Sequence, residues 1–108
     1  MTASMKFTLL LVSIYGTIIV DAADCGGSKQ SVQEWDMWAV RELMCTSECN
    51  RQYFCELTGQ EGMRVVRFGH TGRHCWDALE NIIMQCFHNK RSQFGMWNYD
   101  GENYQIHA

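Results

Sequence analysis

The sequence predicts an α+β fold: a small disulfide-stabilised sandwich in which two helices pack on a short antiparallel sheet. Three observations carry that prediction. Two segments, Val32 to Leu43 and Leu79 to Cys86, repeat apolar residues at helical spacing. Near the C-terminus, two aromatic runs flank Asp100-Gly101, a dipeptide suited to a two-residue type I′ turn because both its positions need positive φ. Six cysteines, Cys25, Cys45, Cys49, Cys55, Cys75 and Cys86, give an even set for bridging in a chain whose core alone is a thin source of stability.

The N-terminal stretch sets the compartment. Lys6 precedes an apolar run from Phe7 to Val20 that ends at Val20-Asp21-Ala22, the charged, apolar and small-residue order of a signal peptide. We therefore expect a signal peptide over residues 1–22 and one cysteine-rich secreted domain over 23–108. The run is roughly 15 residues, short of the ~20 that span a bilayer, so no transmembrane anchor is expected. Export to an oxidising compartment favours three disulfides over thiol or zinc chemistry, each adding about 2–4 kcal/mol.

From Ala23 to Ser31 the chain is polar and contains Cys25. Ser31 followed by Glu34 is a capping-box pattern, so a helix is expected to start there, with Val32, Trp35, Ala39 and Leu43 on its buried face and Trp38 beside it. Cys45 and Cys49 project from neighbouring turns of that helix, which should end between Cys49 and Phe54. Tyr53 to Leu57 reads as a short strand, Thr58 to Gly62 as a loop, and Met63 to Phe68 as a strand closed by Gly69. A turn through His70 and His74 leads into the second helix, Cys75 to Cys86, whose inward stripe is Leu79, Ile82, Ile83 and Cys86, with Cys75 on the same face. Phe87 to Gly95 reads as loop.

In the final hairpin the two-residue turn sets Tyr99 opposite Glu102 and Trp97 opposite Tyr104. Period two then places Trp97, Tyr99, Tyr104 and Ile106 on a core face, and Met96, Asn98, Asn103, Gln105 and His107 on a solvent face. Of the four tryptophans, Trp35, Trp76 and Trp97 fall on buried faces or their margins, and Trp38 is partly exposed. Six cysteines allow fifteen pairings. A continuous second helix excludes Cys75 to Cys86, because eleven residues separate their Cα atoms by roughly 16 Å against a limit of ~7 Å. A Cys45 to Cys49 bridge is disfavoured by diverging Cβ vectors.

Charge excludes some classes of partner. The net charge is −3, and it stays there when Lys6 and Asp21 are removed together. Lys90-Arg91 is the longest basic run, so neither the cationic stripe of a nucleic-acid binder nor the cationic face of an interfacial helix is present. Catalysis has one candidate cluster, His70, Arg73 and His74, with a carboxylate such as Glu61 as partner in the manner of a small secreted ribonuclease. An exposed polar turn accounts for these residues more simply, and a net acidic chain does not attract phosphates. His70 and His74 also have zinc-like spacing, but only Cys45-x₃-Cys49 approximates a cysteine knuckle, and an oxidising compartment favours disulfides there instead. Exposed aromatics would suit a sugar or protein partner, although core packing explains most of them. No catalytic, metal or cofactor residues are assigned.

The stretch Cys75-Trp-Asp-Ala-Leu-Glu-Asn-Ile-Ile-Met-Gln-Cys86, followed by Gly95-Met-Trp97 and Gly101-Glu-Asn-Tyr104-Gln-Ile106, resembles the ending of small cysteine-rich secreted fungal proteins. These are similar to the α/β-sandwich family of the virally encoded killer toxins of smut fungi and to killer-toxin-like effectors of plant pathogens. The resemblance covers about a third of the chain. It implies a fungal pathogen's effector and virulence factor, secreted to the host apoplast or host–pathogen interface and binding a host protein or surface component as a monomer, without enzymatic activity. A killer-type antimicrobial toxin and a small secreted ribonuclease are the alternatives. The candidate interaction surface is the turn and the polar hairpin face: His70, Arg73, His74, Asn98, Asn103, Gln105 and His107.

Overall fold

The computed structural model describes residues 22–108; the expected signal segment, all but its last residue, lies outside the described residues. Five strands form one antiparallel sheet: β1 (Asp24–Gly26), β2 (Phe54–Thr58), β3 (Arg64–Phe68), β4 (Phe94–Tyr99) and β5 (Glu102–His107). Their spatial order is β1-β4-β5-β3-β2. Helices α1 (Glu34–Thr46) and α2 (Cys75–Ile82) both cover one face of it. This is the α+β sandwich expected from the sequence.

The hairpin forms as its turn chemistry requires. Asp100 and Gly101 have φ of 56° and 78°, and Tyr99 pairs with Glu102 and Trp97 with Tyr104. Trp97, Tyr104 and Ile106 are buried against the helices. Tyr99, on the same face, is 48% exposed because it lies at the hairpin tip beyond their reach. At the other end of β4, a Cβ on Gly95 would stand 2.5 Å from Ile82 Cγ2 and 3.0 Å from Cys86 Sγ. Glycine there lets α2 approach the sheet.

The second helix is interrupted. After Ile82 the chain continues as a π-type turn, Ile83–His88, in which Asn89 N–H donates to Met84 O at 3.0 Å. The wider turn buries Ile82 and Ile83, then Cys86 and Phe87, as adjacent pairs. The expected loop from Phe87 to Gly95 is therefore shorter at both ends: Phe87 and His88 remain helical, and Phe94 and Gly95 already belong to β4.

The first helix departs more from expectation. It starts at Glu34, not at Ser31, and Gln33 is its N-terminal boundary. The capping box fails because the Glu34 carboxylate is taken by Trp38 Nε1 at 3.1 Å and His88 Nδ1 at 3.1 Å. The buried face is Asp36, Met37, Val40, Met44 and Cys45. Trp35 and Leu43, expected inside, are 52% and 54% exposed, Ala39 is exposed, and Trp76 on α2 is 37% exposed. Two apolar stripes compete on α1, and groups other than hydrocarbon decide between them. Cys45 must reach Cys75, and the Asp36 carboxylate accepts the Gln60 and Glu61 N–H groups at 3.1 and 2.8 Å, closing the β2–β3 turn. The α-helix ends at Thr46, before the expected limit, and Ser47 caps a 3₁₀ turn over Glu48–Arg51.

The bridges are Cys25–Cys86, Cys45–Cys75 and Cys49–Cys55, with Cα separations of 5.3, 5.7 and 5.5 Å. All six cysteines are used. The first bridge anchors β1, a three-residue edge strand in what reads from sequence as a polar segment, to the end of the second helical stretch. The second joins α1 to α2, and the third staples the 3₁₀ turn to β2. Among the described residues, no helix is long and apolar enough to cross a membrane.

Candidate functional site

The turn after β3 meets the hairpin tip, and buried polar groups hold the two together. Glu102, 1% exposed, sits on the inner face of β5, two residues before Tyr104. Its carboxylate accepts from the Tyr104 hydroxyl at 2.6 Å, the Thr71 hydroxyl at 2.8 Å and the His74 N–H at 3.2 Å. Burial, reinforced by the adjacent carboxylate, holds the Tyr104 phenol well above the usual phenol range, so it stays a donor.

Arg67 supports the same junction from below. Its side chain is fully buried, and its guanidinium donates to the Cys49, Gln52, Gly69 and Thr71 carbonyls. It also lies 5.7 Å from the Tyr104 ring. One cation thus ties the 3₁₀ turn to the loop that carries His70 and His74.

The seven expected surface residues divide into three places. His74 Nε2 lies 3.2 Å from Asp100 Oδ2, and the exposed Arg73 guanidinium lies 3.7 Å from the same oxygen. The His74 ring packs against Tyr99 and Trp97 at centroid distances of 5.4 and 5.7 Å. His70 is not part of this cluster; it is exposed and packs on Tyr53 at 4.8 Å. The remaining residues lie on the sheet face without helices. There Asn98 pairs across the strands with Asn103, and side chains form a ladder along β5: His107 Nε2 bonds Gln105 Oε1 at 2.9 Å and Gln105 Nε2 donates to Asn103 Oδ1 at 2.8 Å. In this ladder the His107 proton sits on Nε2. Burial, aided by the Arg64 cation, holds the His107 imidazole below its ordinary value of 6.5.

The carboxylate expected beside the histidines is also different. Glu61 belongs to the turn closed by Asp36, and Asp100 and Glu102 take its place at His74. His74, Asp100 and Glu102 offer ligand atoms within 4.8 Å of one another, a set with metal-ligand chemistry. Asp100 Oδ2 and both Glu102 oxygens already face internal donors, however, and Arg73 supplies a positive charge at the rim. Acid–base work on one substrate atom needs two groups converging on it, and His70 and His74 take separate partners. The sequence does hold a signal for Glu102: strand parity places it on the core face, where a carboxylate demands donors. Arg67 lies on β3 with the same implication.

No protein-family model and no curated protein matches the sequence. Among solved structures, the tandem DUF26 ectodomain of the Arabidopsis thaliana cysteine-rich receptor-like protein PDLP5 is similar, with a TM-score of 0.52 and 13% identity over 82% of this chain. The likeness is one of fold. This chain spans 47% of that ectodomain, about half its length.

Proposed function

We propose that this chain is a secreted, non-enzymatic binding protein, and more specifically a fungal effector that engages a host component at the host interface. The observation that carries the reading is the state of the polar cluster at the hairpin tip. Its carboxylates serve internal hydrogen bonds and ion pairs, so the cluster works as a rigid scaffold. It presents Arg73, the His74 edge and Tyr99 to solvent, and the Asn103–Gln105–His107 ladder forms a second polar surface on the open face of the sheet. Three disulfides suit an oxidising extracellular setting. The fold likeness to an extracellular ectodomain supports the same setting, and the Cys-to-Cys helix and aromatic hairpin support the fungal effector reading.

The test compares the oxidised wild type with an Arg73→Glu, Gln105→Lys variant in pull-downs from host extracellular fluid, scored by a partner retained by one and lost by the other. A partner that depends on these residues supports the proposal. Equal retention by both removes this surface from it. Growth inhibition of fungi or bacteria by micromolar protein, with no host partner, would replace it with the killer-toxin reading.

A further inference from the structure

The helical layer, on the far side of the sheet from the polar ladder, carries apolar side chains that the fold leaves uncovered. Trp35 and Leu43 are half exposed on α1, and Trp38 on α1 and Trp76 on α2 lie on either side of Arg41. These rings are held in place. Trp35 Nε1 donates to Gln33 Oε1 at 2.9 Å and Trp38 Nε1 to Glu34 Oε2 at 3.1 Å. The Arg41 guanidinium lies 5.3 Å from the Trp38 ring and 4.9 Å from the Trp76 ring, with its Nε donating to Trp76 O at 3.0 Å. Aromatic anchors fixed before binding lose little conformational freedom on docking, and exposed tryptophans are frequent anchors of interfaces.

Charge defines what fits them. Glu42 stands one turn past Trp38 and two turns past Trp35, and Asp77 follows Trp76; neither carboxylate has an ion-pair partner among the described residues. Glu80 pairs with Arg41 at 3.1 Å yet keeps 55% of its side chain exposed. Asp77 and Glu80 also line a cleft of about 380 Å³ beside α2. The one cation among these groups, Arg41, is already engaged by Glu80 and the Trp76 carbonyl. An incoming ammonium or guanidinium would meet free carboxylates and aromatic faces together, whereas an anionic protein surface or an anionic bilayer would be repelled.

We infer that this helical face docks a basic amphipathic segment of a partner protein, its Lys or Arg side chains meeting Glu42, Asp77 and Glu80 and its apolar side chains covering Trp35, Trp38 and Trp76. The inference does not rest on the function proposed for the hairpin-tip surface.

The experiment titrates the oxidised protein with an amphipathic Leu/Lys helical peptide of about 14 residues and with its Leu/Glu counterpart, following the indole N–H resonances. The Lys peptide is expected to shift the Trp35, Trp38 and Trp76 signals and to weaken as salt rises from about 50 to about 500 mM. A Glu42→Lys, Asp77→Lys variant should bind it at least about tenfold more weakly, and Arg73→Glu should bind it as the wild type does. Circular dichroism confirms that the charge-reversed variant is folded, and the milder Glu42→Gln, Asp77→Asn pair should give a smaller loss in the same direction. Equal binding of the Glu peptide, unchanged Trp35, Trp38 and Trp76 signals at saturating Lys peptide, or self-association burying the same indoles without peptide would each overturn the inference.

Discussion

Replacing Arg67 by Met tests whether a buried cation holds the turn after β3 and the hairpin tip together. Arg67 is fully buried and donates to four carbonyls from two loops. A hydrogen bond from a charged group contributes about 1.5–3 kcal/mol, so the four have a nominal worth of ~6–12 kcal/mol. Two of them are long, at 3.4 and 3.2 Å. Removing the charge also relieves a desolvation cost of several kcal/mol, and the freed carbonyls near the surface partly rehydrate, which leaves a net loss of about 3–5 kcal/mol. For a domain of this size each kcal/mol lowers the melting temperature by about 4–8 °C, so Arg67→Met should melt at least ~12 °C lower with its disulfides intact. Arg67→Lys should recover only part of the loss, because one ammonium cannot span both loops. Amide exchange should quicken first in the Gly69–His74 loop. An Arg67→Met protein that melts within about 4 °C of the wild type, with unchanged exchange in that loop, would show that the Arg67 bonds do not hold this junction.

Three further outcomes follow from particular contacts. Gly95→Ala forces a Cβ against Ile82 and Cys86 and should cost about 1–3 kcal/mol, read as a lower denaturation midpoint. Folding should weaken as pH falls. His107 is held below its ordinary 6.5 and Glu34, through its Trp38 hydrogen bond, below its ordinary 4.5, so each contribution is full above those values and is lost as pH drops through the lower folded values. Denaturant midpoints from pH 7.5 to 3 should show this, and His107→Gln should remove the part that sets in below about pH 6.5. The dibasic Lys90-Arg91 pair should resist a trypsin-like protease in the native protein, because Arg91 O accepts Lys29 N–H at 2.8 Å and Ser92 N–H donates to Cys86 O at 3.0 Å. Mass spectrometry should find that cut only after reduction.

Where local chemistry decides the conformation, the sequence was legible. The Asp100-Gly101 turn fixes its own register, and the Leu79-Ile82-Ile83-Cys86 stripe allows one inward face, so the hairpin register and that buried stripe stand as expected, whereas the π-type turn after Ile82 and the exposure of Tyr99 at the tip do not. Helix α1 was legible as a helix but not in orientation, since its two apolar stripes differ little in hydrophobicity. The choice rests on Cys45 reaching Cys75 and Asp36 closing a turn 24 residues away, neither of which periodicity registers. Strand β1 was hidden by its brevity, and its place depends on Cys25 bonding Cys86, one of fifteen possible pairings. At the candidate site, Arg73 and His74 do meet, but through Asp100 and Glu102 and not Glu61. His70 was separated from them because its ring finds Tyr53 instead.

We propose that this protein acts by binding and not by turnover. The most direct test is an assay of RNA and oligosaccharide hydrolysis by the purified, fully oxidised chain beside His70→Ala and His74→Ala. All three are expected to be indistinguishable from buffer. Hydrolysis by the wild type at ordinary enzymatic rates of about 1–10³ s⁻¹, lost on substituting either histidine, would contradict it.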